Sequence, residues 1–214
     1  MVKAILFDFD GVIAHTEPLH LKTFREVVGQ FGIEISEERW YNKFTGIGSQ
    51  NIMENLFEEN GIKEDVGPFV DKRNKLFIDY IENHEVKIVP GIIEFVKKVK
   101  KMGLRRAIVS GSRSNVVKTV SKKMGILEDF EVFVTAESVK NKKPDPEGFL
   151  KAAKLLNTEP KDCLILEDSI SGITAAKRTG IPYICIKSPG TVQLKECSIL
   201  IKDYYEFPME ILNP

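Results

Sequence analysis

The sequence contains little cysteine, and its cysteines are not arranged for metal binding. The 214 residues include three, Cys163, Cys185 and Cys197, with no Cys-x-x-Cys pair and no cysteine–histidine cluster. This arrangement excludes the common structural zinc sites. Cys163 and Cys185 lie in apolar runs, where a free thiol packs as a small hydrophobic group. We therefore predict reduced cysteines and a cytoplasmic protein.

An excess of charge of either sign is also missing. Lysine plus arginine number 31, aspartate plus glutamate number 31, and the formal net charge is zero. Proteins that bind nucleic acid or anionic lipid through their overall field carry a basic excess. The charge balance therefore argues against nucleic acid and membranes as partners.

Long apolar runs are absent as well. No stretch approaches the ~20 residues that a membrane-spanning helix needs. The chain passes from Met1 directly into a short apolar run, which predicts that it has no signal peptide. Hydrophobic residues make up 43% of the chain and charged residues 29%, as is typical of a packed globular protein.

Short apolar runs alternate with amphipathic helical patterns along most of the chain. Runs that are apolar throughout have the character of buried strands. When such strands alternate with helices, they indicate a parallel sheet covered on both faces. The runs begin at Ala4, Arg106, Val132, Leu164 and Tyr183. The predicted fold class is therefore α/β.

The segment between the first two runs has a different pattern. It shows helical periodicity and no convincing buried strand. We predict an all-helical domain at residues 16–86, inserted into an α/β domain that comprises residues 1–15 and 87–214. The helical patterns cover Leu19 to Phe31, Ser36 to Phe44, Asn51 to Asn60 and Val70 to Asn83.

Two carboxylates follow the first apolar run. Asp8 and Asp10 are two residues apart, so on an extended chain their side chains project to the same side. They follow the carboxyl end of a strand, where open parallel sheets bind ligands. One carboxylate can act as a nucleophile and the other as an acid and base, which two-step phosphoryl transfer requires. Because aspartate is also common in ordinary turns, this pair alone does not decide the function.

Three further segments carry suitable polar groups. Ser110 follows the second run, and a hydroxyl with backbone N–H groups at a helix start can bind phosphate. Lys143, held before a proline, can neutralise a carboxylate or a phosphate. Glu167 and Asp168 follow the fourth run and offer the oxygen ligands that Mg²⁺ prefers.

In this order, the motifs resemble those of the haloacid dehalogenase-like superfamily, and the match spans nearly the whole chain. The resemblance implies a Rossmann-like parallel sheet core with an inserted all-helical cap of the C1 type and an active site between them. It is closest to the β-phosphoglucomutase and sugar-phosphate phosphatase branch. The matching residues are Asp8-Phe9-Asp10-Gly11-Val12, Glu17-Pro18-Leu19-His20, Ser110, Lys143-Pro144, Glu167-Asp168-Ser169, Gly172 and Ala175-Ala176.

The resemblance also implies roles for these residues. Asp8 is expected to take the phosphoryl group, while Asp10 protonates the leaving oxygen and later deprotonates water. Ser110 and Lys143 are expected to hold the phosphoryl oxygens. The expected cofactor is Mg²⁺, or Mn²⁺ in its place. Its expected ligands are Asp8, the backbone carbonyl of Asp10, Glu167 and Asp168.

The rest of the substrate is expected to contact glycines and polar residues around this site and on the cap. The expected substrate is a small-molecule phosphate ester of the sugar phosphate class, and the expected assembly is a monomer or a weak homodimer. His20 lies near the start of the cap, where it can contact Asp10 when the cap closes. The expected substrate-binding residues are Gly11, Gly111, Ser112, His20, Thr45, Gly46 and Arg73.

The sequence leaves the reaction open between a phosphatase and a phosphosugar mutase. A mutase has to hold a bisphosphorylated intermediate by its second phosphate, for which arginine is well suited. The segment Thr45-Gly46-Ile47-Gly48-Ser49 carries neither lysine nor arginine, which favours a phosphatase, although Lys72 and Arg73 can supply part of a clamp. Asp10 and Asp168 count against a true dehalogenase. Retention of the whole residue set counts against a noncatalytic binding protein of the same fold.

Overall fold

A parallel β-sheet forms the centre of the protein. The computed structural model describes residues 1–45, 47–188 and 197–212. Within these ranges six parallel strands are arranged in the order β3-β2-β1-β4-β5-β6. The strands are β1 (Ala4–Phe7), β2 (Arg105–Val109), β3 (Val132–Val134), β4 (Cys163–Glu167), β5 (Tyr183–Ile186) and β6 (Leu200–Ile201). The predicted α/β, Rossmann-like fold class is confirmed.

Helices cover both faces of this sheet. Alternate residues of β1 belong to different buried clusters, with Ile5 and Phe7 on one face and Ala4 and Leu6 on the other. All four are fully buried, which explains why the strand is apolar throughout. The first face packs against α5 (Ile92–Lys101) and α6 (Ser114–Lys123), and the second against α7 (Glu147–Leu155) and α8 (Ile170–Thr179).

The chain between β1 and α5 is helical. Its elements are α1 (Glu17–Val28), α2 (Glu37–Arg39) with a π-helical turn over Trp40–Phe44, α3 (Ser49–Glu59) and α4 (Gly67–Asn83). Most of its buried apolar side chains, including Phe24, Trp40 and Phe57, form a cluster separate from the two clusters of the sheet. Among the described helices, none has both the length and the apolar character needed to cross a membrane.

Cys185 and Cys197 form a disulfide bond, with Cα atoms 6.0 Å apart. The prediction of reduced cysteines is therefore wrong for this pair. The physical reason is the short strand β6, which pairs with β5 and brings Cys197 back beside Cys185. Cys163 is free and buried, and burial raises the pKa of its thiol to about 11.

Candidate active site

The predicted site residues meet at one cavity beside the carboxyl ends of β1, β2 and β4. The cavity measures about 980 Å³, including its open mouth, and is lined by both the sheet edge and the helical segment. The predicted residues in its lining are Asp8, Asp10, His20, Thr45, Arg73, Gly111, Ser112, Lys143 and Asp168. Gly11, Ser110 and Glu167 lie directly behind them, as the contacts below show, and Gly46 lies outside the described residues.

Lys143 connects two of the buried carboxylates. Its Nζ donates to Asp8 Oδ1, to Glu167 Oε1 at 2.6 Å and to the Val109 carbonyl at 3.1 Å. Burial works against the charged form of this lysine, but the charges of Asp8 and Glu167 prevail and raise its pKa. Lys143 therefore stays protonated and neutralises part of the carboxylate cluster.

Asp8, Glu167 and Asp168 form a compact acidic cluster. Carboxylate oxygens from all three lie within 4.8 Å of one another. Burial raises the pKa of Asp8, with Lys143 offsetting only part of the effect, and burial together with the charge of Glu167 raises the pKa of Asp168. Asp168 Oδ2 is buried without a hydrogen-bond partner among the described residues. This unpartnered oxygen in an all-oxygen donor set fits a divalent cation such as Mg²⁺.

Two glycines make room for the cluster. Gly11, predicted as a substrate contact, has φ +84°, and a side chain at this position would collide with the Asp168 carboxylate. Gly172 adjoins the Glu167 carboxylate in the same way. Glu167 Oε2 in turn accepts hydrogen bonds from the backbone N–H groups of Asp168 and Ser169, both at 2.8 Å. The start of α8 is thereby held against the cluster.

Asp10 has a different set of partners. Its Oδ2 accepts hydrogen bonds from Ser112 Oγ at 2.8 Å and Ser110 Oγ at 3.2 Å. Its Oδ1 accepts one from the Thr16 hydroxyl and lies 3.2 Å from His20 Nε2. Burial would raise the pKa of Asp10, but hydrogen bonds from His20, Thr16 and Ser112 lower it below its usual value. Asp10 is therefore held ionised.

Arg73 lines the cavity wall but is committed to partners within the protein. The residue is only 1% exposed, and its guanidinium lies 4.8 Å from the Phe24 ring centre and 4.5 Å from that of Phe77. Burial lowers the pKa of Arg73 to about 9. Its hydrogen-bond partners are His20 Nδ1, Thr23 Oγ1 at 3.1 Å, Ser49 Oγ at 3.2 Å and Asn74 Oδ1 at 3.2 Å. The structure thus places Arg73 behind His20.

Two further residues of the site were not among the predicted ones. Thr16, which bonds to Asp10, has the character of an ordinary residue before a helix. Glu17 lines the cavity and accepts a hydrogen bond from Trp40 Nε1 at 2.7 Å. Burial and the charge of Asp10 raise the pKa of Glu17 to about 8. In the sequence Glu17 stood out as part of the matched segment Glu17-Pro18-Leu19-His20, and Thr16 as its neighbour.

A family comparison agrees with this arrangement of motifs. Residues 5–186 match the family of haloacid dehalogenase-like hydrolases. The chain belongs to this family. The matched range begins in β1, runs through the helical segment and ends with β5, and so includes every residue of the acidic cluster and every partner of Asp10.

Relatives of this haloacid dehalogenase-like chain match over most of their length. Protein CbbY of Cereibacter sphaeroides is 32% identical over 200 residues, covering 89% of this chain and 85% of CbbY. The phosphorylated carbohydrates phosphatase of Thermotoga maritima is 28% identical over 187 residues, covering 86% and 84%. Among solved structures, β-phosphoglucomutase from Clostridium difficile has a TM-score of 0.87 at 26% identity, covering 99% and 96%.

Proposed function

We propose that the protein is a magnesium-dependent phosphatase that hydrolyses a small-molecule phosphate monoester through a phosphoryl group carried on Asp8. The observation that carries this proposal is the contrast between two carboxylates in one cavity. Asp8 lies in the acidic cluster with Lys143, whereas Asp10 is held ionised by hydroxyl groups and His20. These different environments suit Asp8 as the nucleophile and Asp10 as the acid and base. The Thermotoga relative, named for phosphorylated carbohydrates, supports a sugar phosphate as substrate.

In the first half-reaction, an Asp8 oxygen attacks the phosphorus of the ester. The new P–O bond forms as the ester P–O bond breaks, and the leaving oxygen takes a proton from Asp10. Lys143 and Ser110 offset the charge on the phosphoryl oxygens, since this reaction needs positioning and charge neutralisation above all. The negative charge of the incoming phosphoryl group favours the protonated form of Asp10 that this step requires.

In the second half-reaction, ionised Asp10 takes a proton from a water molecule. That water attacks the phosphorus, releasing inorganic phosphate and regenerating Asp8. The contacts of Asp10 with Thr16, His20 and Ser112 favour the ionised form, which is the form that a general base needs.

Asp8 and Asp168 are the residues that would hold the metal ion. Glu167 supports them, because its oxygens already accept hydrogen bonds from Lys143 and from backbone N–H groups. A bound Mg²⁺ supplies positive charge that favours ionised Asp8 and offsets charge on the transferred group.

The division into a core of residues 1–15 and 87–214 and a cap of residues 16–86 is part of the proposal. The separate apolar cluster of the helical segment supports it. So does the cavity, which is lined from both sides. A cap that opens to admit substrate and closes to exclude water would serve the reaction.

A phosphosugar mutase is the second candidate, and the β-phosphoglucomutase neighbour favours it. Two observations count against a mutase that holds its intermediate from the helical segment. Thr45, Ile47, Gly48 and Ser49 carry no cation of their own, and Arg73 is occupied by partners within the protein.

A substrate panel tests the proposal. Purified protein is assayed with Mg²⁺ and with EDTA on p-nitrophenyl phosphate, several sugar phosphates, and β-glucose 1-phosphate with a trace of its 1,6-bisphosphate. We expect metal-dependent release of inorganic phosphate, abolished in Asp8→Asn and unchanged in Asp79→Asn, which alters an exposed aspartate. Glucose 6-phosphate formed without phosphate release would instead show a mutase. Normal turnover by Asp8→Asn would exclude Asp8 as the nucleophile.

A further inference from the structure

Lys142 differs from the other cations of the cavity in having no partner among the described residues. The described lining contains four lysine and arginine residues: Arg73, Arg113, Lys142 and Lys143. Arg73 is bonded within the helical segment, Lys143 to the acidic cluster, and Arg113 lies 3.6 Å from Asp71 Oδ1. Lys142 Nζ forms no hydrogen bond or ion pair with any residue in the part of the chain that the structure describes.

The side chain of Lys142 reaches from the sheet edge to the helical segment. Its Nζ lies only 2.6 Å from the place where a Cβ on Gly48 would be, with Cδ at 3.4 Å and Cε at 3.5 Å. The loop beneath it is fixed, because the Lys142 carbonyl accepts a hydrogen bond from Asp145 N at 2.9 Å. The Lys142 ammonium group therefore has a defined place at the cavity wall. It can occupy this place because Gly48 has no side chain.

This position is costly for an unpaired cation. Lys142 is half-buried, so part of its side chain is withdrawn from water. Gly48 also directly precedes α3 and offers no side-chain cap, so the ammonium lies near the positive end of a helix. A negatively charged ligand beside Lys142 would relieve both costs.

We propose that Lys142 determines specificity by binding a second anionic group of the substrate, either a carboxylate or a second phosphate. This proposal rests on the phosphatase function proposed above. Lys142 and Lys143 are consecutive, and Lys143 is bonded to Asp8. The two lysines therefore serve two ends of one substrate, with the reacting ester at Asp8 and the other charged group beside Gly48. A lysine suits this role as a compact charge that binds carboxylate or phosphate.

Matched pairs of esters test this specificity. The first pair is 2-phosphoglycolate and the uncharged analogue 2-hydroxyethyl phosphate, and the second is glucose 1,6-bisphosphate and glucose 1-phosphate. The variants are Lys142→Gln, Lys142→Arg and Gly48→Ala. Lys140→Gln is the control, since it removes a charge from an exposed lysine two positions away that does not line the cavity. The measured quantity is the ratio of kcat/KM for the charged member to that for the uncharged member.

We expect the wild-type protein to prefer the charged member of at least one pair, and the pair concerned identifies a carboxylate or a phosphate. Lys142→Gln should lower the ratio about tenfold, mainly through KM, in keeping with the loss of one charge-assisted hydrogen bond. Gly48→Ala should lower it too, because the new methyl group displaces the ammonium while leaving its charge. Lys142→Arg should restore part of the ratio, and Lys140→Gln should leave it unchanged.

An unchanged kcat/KM ratio in Lys142→Gln, or an equal loss of kcat/KM for both members of each pair, would overturn the proposed role of Lys142. Turnover of p-nitrophenyl phosphate by the same protein would still support the phosphatase function. A binding measurement separates the two proposals further. In the Asp8→Asn protein, calorimetric titration with glucose 1,6-bisphosphate and 2-phosphoglycolate should show weaker binding when Lys142→Gln is added. Equal affinity with and without Lys142→Gln would reject the role of Lys142 even if no ester were turned over.

Discussion

His20 Nε2 lies 3.2 Å from Asp10 Oδ1, while His20 Nδ1 faces the guanidinium of Arg73. Because an arginine only donates, Nδ1 accepts and Nε2 carries the hydrogen that points to Asp10. Burial and the charge of Arg73 lower the pKa of His20, although Asp10 opposes this. A neutral imidazole with a fixed hydrogen is thus directed at the proposed acid and base.

Replacing His20 tests this orientation. We expect His20→Ala to lower kcat about 10- to 100-fold, in the range of a weakened acid–base catalyst. KM should change little, because both imidazole nitrogens are already engaged by Asp10 and Arg73. His20→Gln should recover part of the loss by keeping a donor, and His84→Ala should behave as wild type, since His84 is exposed. Steady-state kinetics on an alkyl phosphate would show this, and an unaltered kcat in His20→Ala would remove the imidazole from the reaction.

Asp10→Asn should divide the two half-reactions. Nitrophenolate leaves without protonation, so p-nitrophenyl phosphate should still transfer its phosphoryl group to Asp8. Hydrolysis then lacks a base, so one equivalent of nitrophenolate should appear and turnover should stop. Rapid mixing records the burst, and mass spectrometry detects the phosphorylated protein. Continuous wild-type turnover by this variant would mean that another group activates the water.

Gly11→Ala should weaken metal binding specifically. The new methyl group meets the Asp168 carboxylate, and φ at this position is +84°. We expect the Mg²⁺ concentration for half-maximal activity to rise by about tenfold or more, comparable with losses seen when the supports of metal ligands are disturbed. Gly103→Ala is the matched control, because Gly103 has φ +78° with no atom within 4 Å of an added Cβ. Equal Mg²⁺ titration curves for the two variants would show that Asp168 does not hold the cation.

Glu17 should make stability depend on pH. Its pKa is about 8 in the folded protein, whereas an unfolded glutamate titrates at about 4.3. Between these values the folded state keeps a proton that the unfolded state releases. The contribution of Glu17 is therefore fully present below the unfolded pKa and is lost as pH rises through the folded pKa, by up to about 1.4 kcal/mol per pH unit. In urea unfolding at pH 5.5, 7 and 8.5, the free energy of unfolding of Glu17→Gln should rise relative to that of wild type as pH rises. Parallel pH dependences of the two proteins would contradict the raised pKa.

The disulfide should contribute measurably to stability. It closes a loop with a sequence separation of 12, for which chain entropy gives about 3 kcal/mol. A reductant should lower the free energy of unfolding by that order, and Cys197→Ser should do so without any further effect of reductant. Urea titrations with and without reductant provide the measurement. Coincident curves for wild type in the two conditions would show that the bond contributes nothing.

The sequence was sufficient for features that depend on short-range patterns. β1 and β4 were recognised because both faces of the sheet are covered, which makes each strand apolar throughout. The helices of residues 17–83 were recognised from their periodicity. Asp8, Asp10, Ser110 and Asp168 were predicted as site residues because each follows a strand-like run, and parallel strands end at the same edge.

Features that depend on distant contacts were not accessible from sequence patterns. β6 has only two residues, too few for a period, and the disulfide beside it was missed with it. Nothing in the sequence distinguishes Arg73 from an exposed arginine. Its burial depends on the packing of Phe24 and Phe77 around the guanidinium, which only the structure shows. The place of Lys142 against Gly48 likewise depends on how the helical segment meets the sheet.

The central position of β1 has a consequence for the synthesis of the protein on the ribosome. Ala4 pairs with Arg105 on one side and with Cys163 on the other. The first strand to be synthesised therefore cannot form its hydrogen bonds until β2 and β4 have been made. The helices that follow β1 rely on nearby contacts and can form meanwhile. Until β4 emerges, the strand that leads into Asp8 has an open edge, which other chains can pair with. Slower translation between residues 109 and 163 would lengthen that exposure, and chaperone binding to nascent chains should be greatest in this interval.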